Sequence, residues 1–231
     1  MIMLLRQLFD TESSTYTYLL ADDVSGEAAL VDPVREHLER DLKLVSELGL
    51  RLTHVLETHV HADHVTSAGL LRERTGAWTC ASAVGAPCVD QKLRHGDVVR
   101  LGDLAIMVLE TPGHTDDGLS FLVNGHVLTG DTLLVRGCGR ADFQNGSPDT
   151  LYDSLTKVLF ALPDSTVVLP GHDYRGFTQS TIGEEKRLNP RVAGKSREEF
   201  AAIMNGLNLP KPKKLDEAVP ANRACGNVAL G

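Results

Sequence analysis

No stretch of this chain is apolar for long enough to cross a bilayer as a helix, which takes about 20 residues, and this argues against a membrane role. The amino terminus runs straight into a strand-like segment, Met3 to Leu8, without a basic, cleavable leader, so the expected compartment is the cytoplasm. Positive charge is also short: 23 Lys and Arg face 31 Asp and Glu, a net charge of −8. A nucleic-acid partner is therefore not expected, because neutralising phosphates takes a basic face. Cysteine is scarce, and Cys80, Cys88, Cys138 and Cys225 form no C-x-x-C pair, which removes the zinc-finger and thioredoxin-type readings; three of the four are expected to be buried or inert. No internal repeat of roughly 20 to 50 residues is evident.

What remains is an ordinary globular composition, 42% hydrophobic and 23% charged over 231 residues, enough to bury a sizeable core as one domain spanning 1–231. Strand and helix signals alternate along it. Residues 15–22 and 27–32 read as strands around the turn at Asp23–Gly26. Asp32 then suits an N-cap and Pro33 a first helical position, with Val34, Leu38, Leu42, Val45 and Leu48 at helical spacing until Gly49. A strand over 52–58 and a helix over 65–75 ending at Gly76 follow. Residues 79–82, 97–101, 104–111, 119–124 and 126–131 form a second strand group, with a hairpin turn at Asn124-Gly125. Ser147-Pro148 starts a helix through Leu162, 166–170 is another strand, and Thr181/Glu184 and Ser196/Glu199 have capping-box spacing for two short helices. The tail, 208–231, contains PKPKK and is expected to be extended and packed on the domain. Two strand groups with interleaved helices predict an α/β fold of two stacked sheets covered by helices on both outer faces.

Seven residues of metal-binding type sit at the ends of these strands: His59, His61, Asp63 and His64 in THVHADH, His114 in TPGHTD, Asp131 in LTGDT and His172 in LPGHD. A single histidine is more often a surface or satisfied core residue than a ligand, and His37, His54, His95 and His126 are read that way. Clustering at four strand ends, each beside glycine or proline or in one tight turn, is not expected by chance. Imidazole and carboxylate donors without thiolate suit zinc or ferrous iron.

With HVHADH followed by His114, Asp131 and His172 at these separations, the chain resembles the metallo-β-lactamase superfamily, whose fold is a four-layer αβ/βα sandwich of two mixed sheets with the metal at one edge. Superfamily membership alone does not fix the reaction. GDTLLVRGCGRADFQNG (130–146), GHDYRGFT (171–178), EEKRLNPR (184–191) and NLPKPKKLDEAVPANRACG (208–226) narrow it, because together they resemble the persulfide dioxygenase family, also called sulfur dioxygenases or ethylmalonic encephalopathy protein-like proteins.

That resemblance implies one Fe(II) per chain held by His59, His114 and Asp131, with no organic cofactor. His61, Asp63, His64 and His172 would then orient waters and the ligands themselves. In hydrolytic relatives His59, His61 and His114 would hold one zinc and Asp63, His64 and His172 a second, with Asp131 bridging; all of those residues are present here. The implied substrates are glutathione persulfide and O2, the implied products sulfite and glutathione, and the implied assembly a homodimer. For the two carboxylates of glutathione the candidate grip is Arg140, nine residues after Asp131, and Tyr174 could hydrogen-bond the substrate. Cys138 reads equally as a redox-sensitive thiol or a small packing residue, and Lys213, Lys214 and Arg223 as steering or merely solvated charges. Two alternatives stay open: a glyoxalase-II-like thioester hydrolase with two metals, whose best-known members carry a larger helical segment after the last histidine, and a non-catalytic persulfide or metal sensor.

Overall fold

The computed structural model describes residues 3–227, so the last four residues of the expected tail lie outside it. Its architecture follows from which faces of the strands are apolar. Strand β1 (Met3–Phe9), β2 (Tyr16–Asp22) and β3 (Glu27–Val31) form the antiparallel opening meander. Every residue of β2 is buried, but the two faces go to different partners. Tyr16, Tyr18 and Leu20 point into the space between the sheets, while Leu19 and Ala21 point outward under helices, as the alternation of side chains along a strand requires.

After β3 the chain does not enter a helix at Pro33. Asp32 sits at φ +51, a 3-10 turn spans Arg35–His37, and α1 begins only at Leu38 and runs to Glu47. The expected N-cap role of Asp32 is thus corrected, and the reason is long-range: its carboxylate accepts from the Thr58 amide (2.7 Å) and hydroxyl (2.8 Å) instead of capping a helix. β4 (Arg51–Leu56), α2 (Ala68–Thr75), β5 (Trp78–Ser82) and β6 (Gln91–Leu93) complete a sheet ordered β1-β2-β3-β4-β5-β6, with β3 to β6 parallel. β6 was not foreseen.

The second sheet is built from β7 (Val98–Leu101), β8 (Leu104–Glu110), β9 (Leu119–Val123) and β10 (His126–Gly130) as antiparallel hairpins. The β9–β10 turn is at Asn124-Gly125, with φ +45 and +76, the left-handed pair that a two-residue hairpin demands. α3 (Pro148–Asp153) starts on Ser147, whose hydroxyl accepts from the Thr150 amide, and continues through a wider π turn and a 3-10 turn to Ala161. β11 (Val167–Pro170) joins β10 in parallel and β12 (Ser180–Thr181) pairs antiparallel to it, giving the order β12-β11-β10-β9-β8-β7.

α4 (Ile182–Leu188) and α5 (Arg197–Asn205) follow. Ser196 and Glu199 make the complete capping box, whereas Thr181 makes only its half, because Glu184 turns to Ser180 and Arg136. The tail is corrected most: it is not extended throughout but forms α6 (Leu215–Arg223), despite Pro220 inside it, and Ala218 and Ala221 pack on Val65.

One apolar cluster fills the space between the sheets, with Tyr18, Leu20, Val31 and Leu56 meeting Ile106, Phe121, Leu128 and Leu169. A second joins α1 and α2 to the outside of the first sheet, and a third joins α3, α4 and α5 to the outside of the second. Helix, sheet, sheet and helix therefore stack in four layers, and the carboxyl ends of β4, β10 and β11 open onto one edge.

Candidate metal centre

β4 ends at Leu56, and the next eight residues fold back as a turn that carries His59, His61, Asp63 and His64. The loops after β8, β10 and β11 bring His114, Asp131 and His172 to the same edge. All seven expected residues converge. The ring centroids of His59 and His61 are 4.1 Å apart, those of His61 and His64 4.3 Å, and those of His59 and His114 5.0 Å.

Convergence does not make them equivalent, because each ring nitrogen already has a neighbour or lacks one. His59 Nδ1 is 3.0 Å from the Thr58 hydroxyl and His114 Nδ1 is 2.6 Å from the Arg140 carbonyl, which leaves both Nε2 atoms for a metal. His114 Nε2 lies 3.7 Å from Asp131 Oδ2, and ligand atoms of His59, His114 and Asp131 lie within 4.8 Å of one another. Burial, together with the neighbouring His61 and His114, drives the His59 pKa well below its ordinary value, so the ring is neutral and its lone pair free. Burial would raise the Asp131 carboxyl, but His172, His114 and His59 outweigh it and hold it well below the usual carboxylate range. Two imidazoles and one carboxylate are a fitting donor set for a first-row divalent ion.

His172 is placed differently. Its Nδ1 contacts Asp131 Oδ1 at 2.6 Å and its Nε2 contacts Asp63 Oδ2 at 3.0 Å, so both nitrogens are used by carboxylates. Burial would lower its pKa, yet Asp131 and Asp63 raise it well above the ordinary value. Placed between the two carboxylates, with the Thr15 hydroxyl also 3.0 Å from its Nε2, the ring is positioned to orient Asp131 through Nδ1. Asp63 Oδ2 is also 2.9 Å from His64 Nδ1, and the Thr15 hydroxyl stands 3.1 Å from the same oxygen. His61 Nε2 is 3.1 Å from Asp32 Oδ1 and 3.5 Å from Glu57 Oε2. Three buried histidine nitrogens, His61 Nδ1, His61 Nε2 and His64 Nε2, have no hydrogen-bond partner among the described residues, the carboxylates near His61 Nε2 being close without hydrogen-bond geometry. His61, Asp63 and His64 make a second group of possible donors, and Asp32, Glu57 and His61 a third.

Beside the metal residues, across the segment 137–140, is a cavity of about 670 Å3. Tyr174 lines it and stacks on His172, with ring centroids 6.1 Å apart and planes 9° off parallel. Arg140 lines it as well, but its guanidinium is engaged by Asp142 (2.6 and 2.8 Å), by the Pro210 carbonyl (2.7 Å) and by the face of Phe143. Arg136 is likewise neutralised by Glu184 and Glu185. Arg175 and Arg191 also border the cavity, and neither forms an ion pair with a described residue. Cys138 is buried against Met204 and Arg191, and burial pushes its thiol pKa up, which makes it a packing residue and a poor nucleophile. Lys214 pairs with Glu12 and Glu36.

Several contributors were invisible in the sequence. Asp32, Glu57 and Thr15 carry no local signal of a site, and Asn222 lies over 150 residues from the loop it holds. Three of the four cysteines are buried, as expected, namely Cys80, Cys138 and Cys225; Cys80 and Cys138 are free, while Cys225 is joined to the half-buried Cys88, 137 residues away, in a disulfide that no local pattern announced.

Comparison with known proteins gives the family of the chain. Residues 10–87 and 83–172 match the metallo-beta-lactamase superfamily model. The human protein named persulfide dioxygenase ETHE1, mitochondrial, is 49% identical over 227 residues, covering 97% of this chain and 89% of the relative. A hydroxyacylglutathione hydrolase of Cereibacter sphaeroides is 40% identical over 172 residues, but covers only 70% of this chain and 64% of its own length. The crystal structure of ETHE1 from Myxococcus xanthus superposes with a TM-score of 0.96 at 63% identity, covering 96% of this chain and 99% of that one. The chain belongs to the metallo-beta-lactamase superfamily and, within it, to the persulfide dioxygenase family.

Proposed function

We propose that the protein is a glutathione persulfide dioxygenase that converts glutathione persulfide, O2 and water to glutathione and sulfite, using one ferrous ion held by His59, His114 and Asp131. The observation that carries the mononuclear reading is the position of His172: with one nitrogen on Asp131 and the other on Asp63, it is committed to holding carboxylates. A ferrous ion with two histidines and one carboxylate keeps open positions on which O2 and a sulfur anion can be brought together. The chain's own residues do the rest. Thr58 and the Arg140 carbonyl fix the two imidazoles, His172 fixes Asp131, and His61, Asp63 and His64 complete the polar floor. Glutathione's peptide arms are assigned to the neighbouring cavity, where Tyr174 stands between the metal residues and the open space. Arg140 is an ordered wall of that cavity, and the unpaired Arg175 and Arg191 supply positive charge for the two carboxylates.

The same reading takes 1–231 as one domain and the enzyme as a cytoplasmic homodimer. No described helix is long and apolar enough to cross a membrane. A dinuclear thioester hydrolase is the second reading, favoured by the partnerless His61 Nδ1 and His64 Nε2 and by the second donor group around Asp63. Metal analysis paired with O2 uptake on glutathione persulfide separates the readings. About one iron per chain with uptake supports the dioxygenase; two metals with thioester cleavage support the hydrolase; neither activity leaves a sensor. Light scattering checks the dimer.

A further inference from the structure

The carboxamide of Asn222, on α6, spends both of its donors and one acceptor position on the backbone of the metal loop. Its Nδ2 donates to the His61 carbonyl (2.9 Å) and to the His64 carbonyl (2.8 Å), and its Oδ1 accepts from the Thr66 amide (2.8 Å). These three groups bracket the stretch that carries His61, Asp63 and His64, two residues beyond His59. Asn222 is buried, so no water can take its place without the helix moving. The turn that follows α6 adds two more attachments: the Gly69 amide at the start of α2 donates to the Cys225 carbonyl (2.9 Å), and Arg35 donates to the Gly226 carbonyl (2.8 Å).

Apolar contact between α6 and the loop is small, confined to Val65, Ala218 and Ala221. The covalent attachment is the Cys88–Cys225 bridge, which fastens this turn to the segment between β5 and β6. That segment is itself anchored, since Arg72 donates to the Cys88 carbonyl (3.1 Å). Cys225 is buried, whereas Cys88 is half-buried, so Cys88 is the more accessible of the two residues.

We propose that Asn222 is a positioning residue for the metal loop and that the Cys88–Cys225 bridge latches it in place, so that thiol reduction of the bridge loosens the loop's hold on its metal. The reductant is glutathione, the thiol that the proposed reaction releases. One glutathione thiolate attacks the Cys88 sulfur, the protein S–S bond breaks, and Cys225 leaves as a thiolate that takes up a proton. A second glutathione thiolate then attacks the mixed disulfide, releasing Cys88 as a thiol and glutathione disulfide. Two electrons pass from two glutathiones to one bridge. The metal-loop part rests on the dioxygenase reading only in assigning a metal to His59, His114 and Asp131.

The test uses full-length, iron-loaded protein. Denatured oxidised protein should show two titratable thiols, from Cys80 and Cys138, and four after reduction. Iron release to a chelator should be about tenfold faster in reduced wild type than in oxidised wild type, the lower end of what losing a supporting contact costs a metal site. Cys88→Ser should release iron at the reduced rate and ignore reductant. Asn222→Asp keeps an acceptor for Thr66 but loses both donors, and should release fast in either redox state. Hydrogen exchange at the Thr66 amide should rise in reduced wild type, Cys88→Ser and Asn222→Asp, and this readout needs no metal. Four thiols in the oxidised preparation would overturn the bridge. Equal Thr66 exchange and equal iron release across oxidised, reduced and Cys88→Ser protein would overturn the latch. A protein that takes up no iron, yet shows redox-dependent Thr66 exchange, would sink the ferrous reading and leave the latch standing.

Discussion

Adding one methyl group at Gly139 should dismantle the metal centre, whereas adding the same group two residues earlier should not. A Cβ at 139 would lie 2.5 Å from the Asp131 carbonyl oxygen, 2.7 Å from His114 Nδ1 and 2.8 Å from His114 Cγ. Real Cβ contacts do not fall below 3.0 Å, so the Asp131 backbone must retreat by at least 3.0 − 2.5 = 0.5 Å. That carbonyl also accepts from the Gly139 amide at 2.6 Å, so the retreat stretches the bond that ties the two segments. Two of the three proposed iron ligands move, by an amount that meets the tolerance of about 0.5 Å for a preorganised site. At Gly137 the nearest atom to a new Cβ is Leu134 Cβ at 3.9 Å, ordinary contact. We expect Gly139→Ala to cost about 1–3 kcal/mol of stability through overpacking and on the order of 100-fold in turnover through displaced ligands, with iron per chain clearly reduced. Gly137→Ala should match wild type in all three. The assays are metal analysis after desalting, O2 uptake on glutathione persulfide, and thermal melting. A Gly139→Ala protein that keeps its iron and its rate would refute the claim that Asp131 and His114 are held by close packing against this segment.

Other substitutions probe other parts of the same structure. Asp32→Ala removes the acceptor for the Thr58 amide and hydroxyl and so frees the group beside His59 Nδ1; metal affinity should fall about 10- to 100-fold, and unchanged affinity by competition titration would remove Asp32 from the support of the site. Arg175→Gln with Arg191→Gln takes away the two guanidiniums without ion pairs, and the KM for glutathione persulfide should rise about 10-fold or more, the worth of a charged hydrogen bond, with kcat little changed; a fall in kcat alone would count against a binding role. Arg140→Ala should also raise KM more than it lowers kcat, and unchanged kinetics would remove Arg140 from substrate binding. Phe121→Ala, fully buried between the sheets, should cost about 3–5 kcal/mol in chemical denaturation; a cost near 1 kcal/mol would mean the sheets close over the gap. Burial alone would raise the Asp10 carboxyl, but hydrogen bonds from the Ser13 hydroxyl and amide and from His37 lower it from 3.8 to about 2. A carboxyl depressed in the folded state contributes stability above pH 3.8 that drains away as pH falls toward 2. The melting-temperature gap between wild type and Asp10→Asn should shrink across that window, and a constant gap would contradict the assignment.

What could be read from the sequence, and what could not, divides along the distance over which the determining contacts act. His59, His61, Asp63, His64, His114, Asp131 and His172 were legible because each directly follows a run whose apolar pattern marks a strand, and a strand end fixes where the next residues go. The two-sheet layering was legible for the same reason. Asp32 was misread because the same residue, before a proline, satisfies the local rule for an N-cap, and only the Thr58 amide 26 residues away decides otherwise. β6 and β12, of three and two residues, are strands only because a neighbour pairs with them. α6 was hidden by Pro210, Pro212 and Pro220, which argue against helix locally, while Asn222 attaches it to the metal loop and the bridge from Cys225 to Cys88 attaches the turn after it to the segment between β5 and β6, both from far away. His172 shows the limit most sharply. Its presence was evident, but which way its two ring nitrogens are used depends on Asp131 and Asp63, 41 and 109 residues distant. A residue list can therefore point to a metal site, while the hydrogen bonds that set what each side chain does there are recorded in no local pattern.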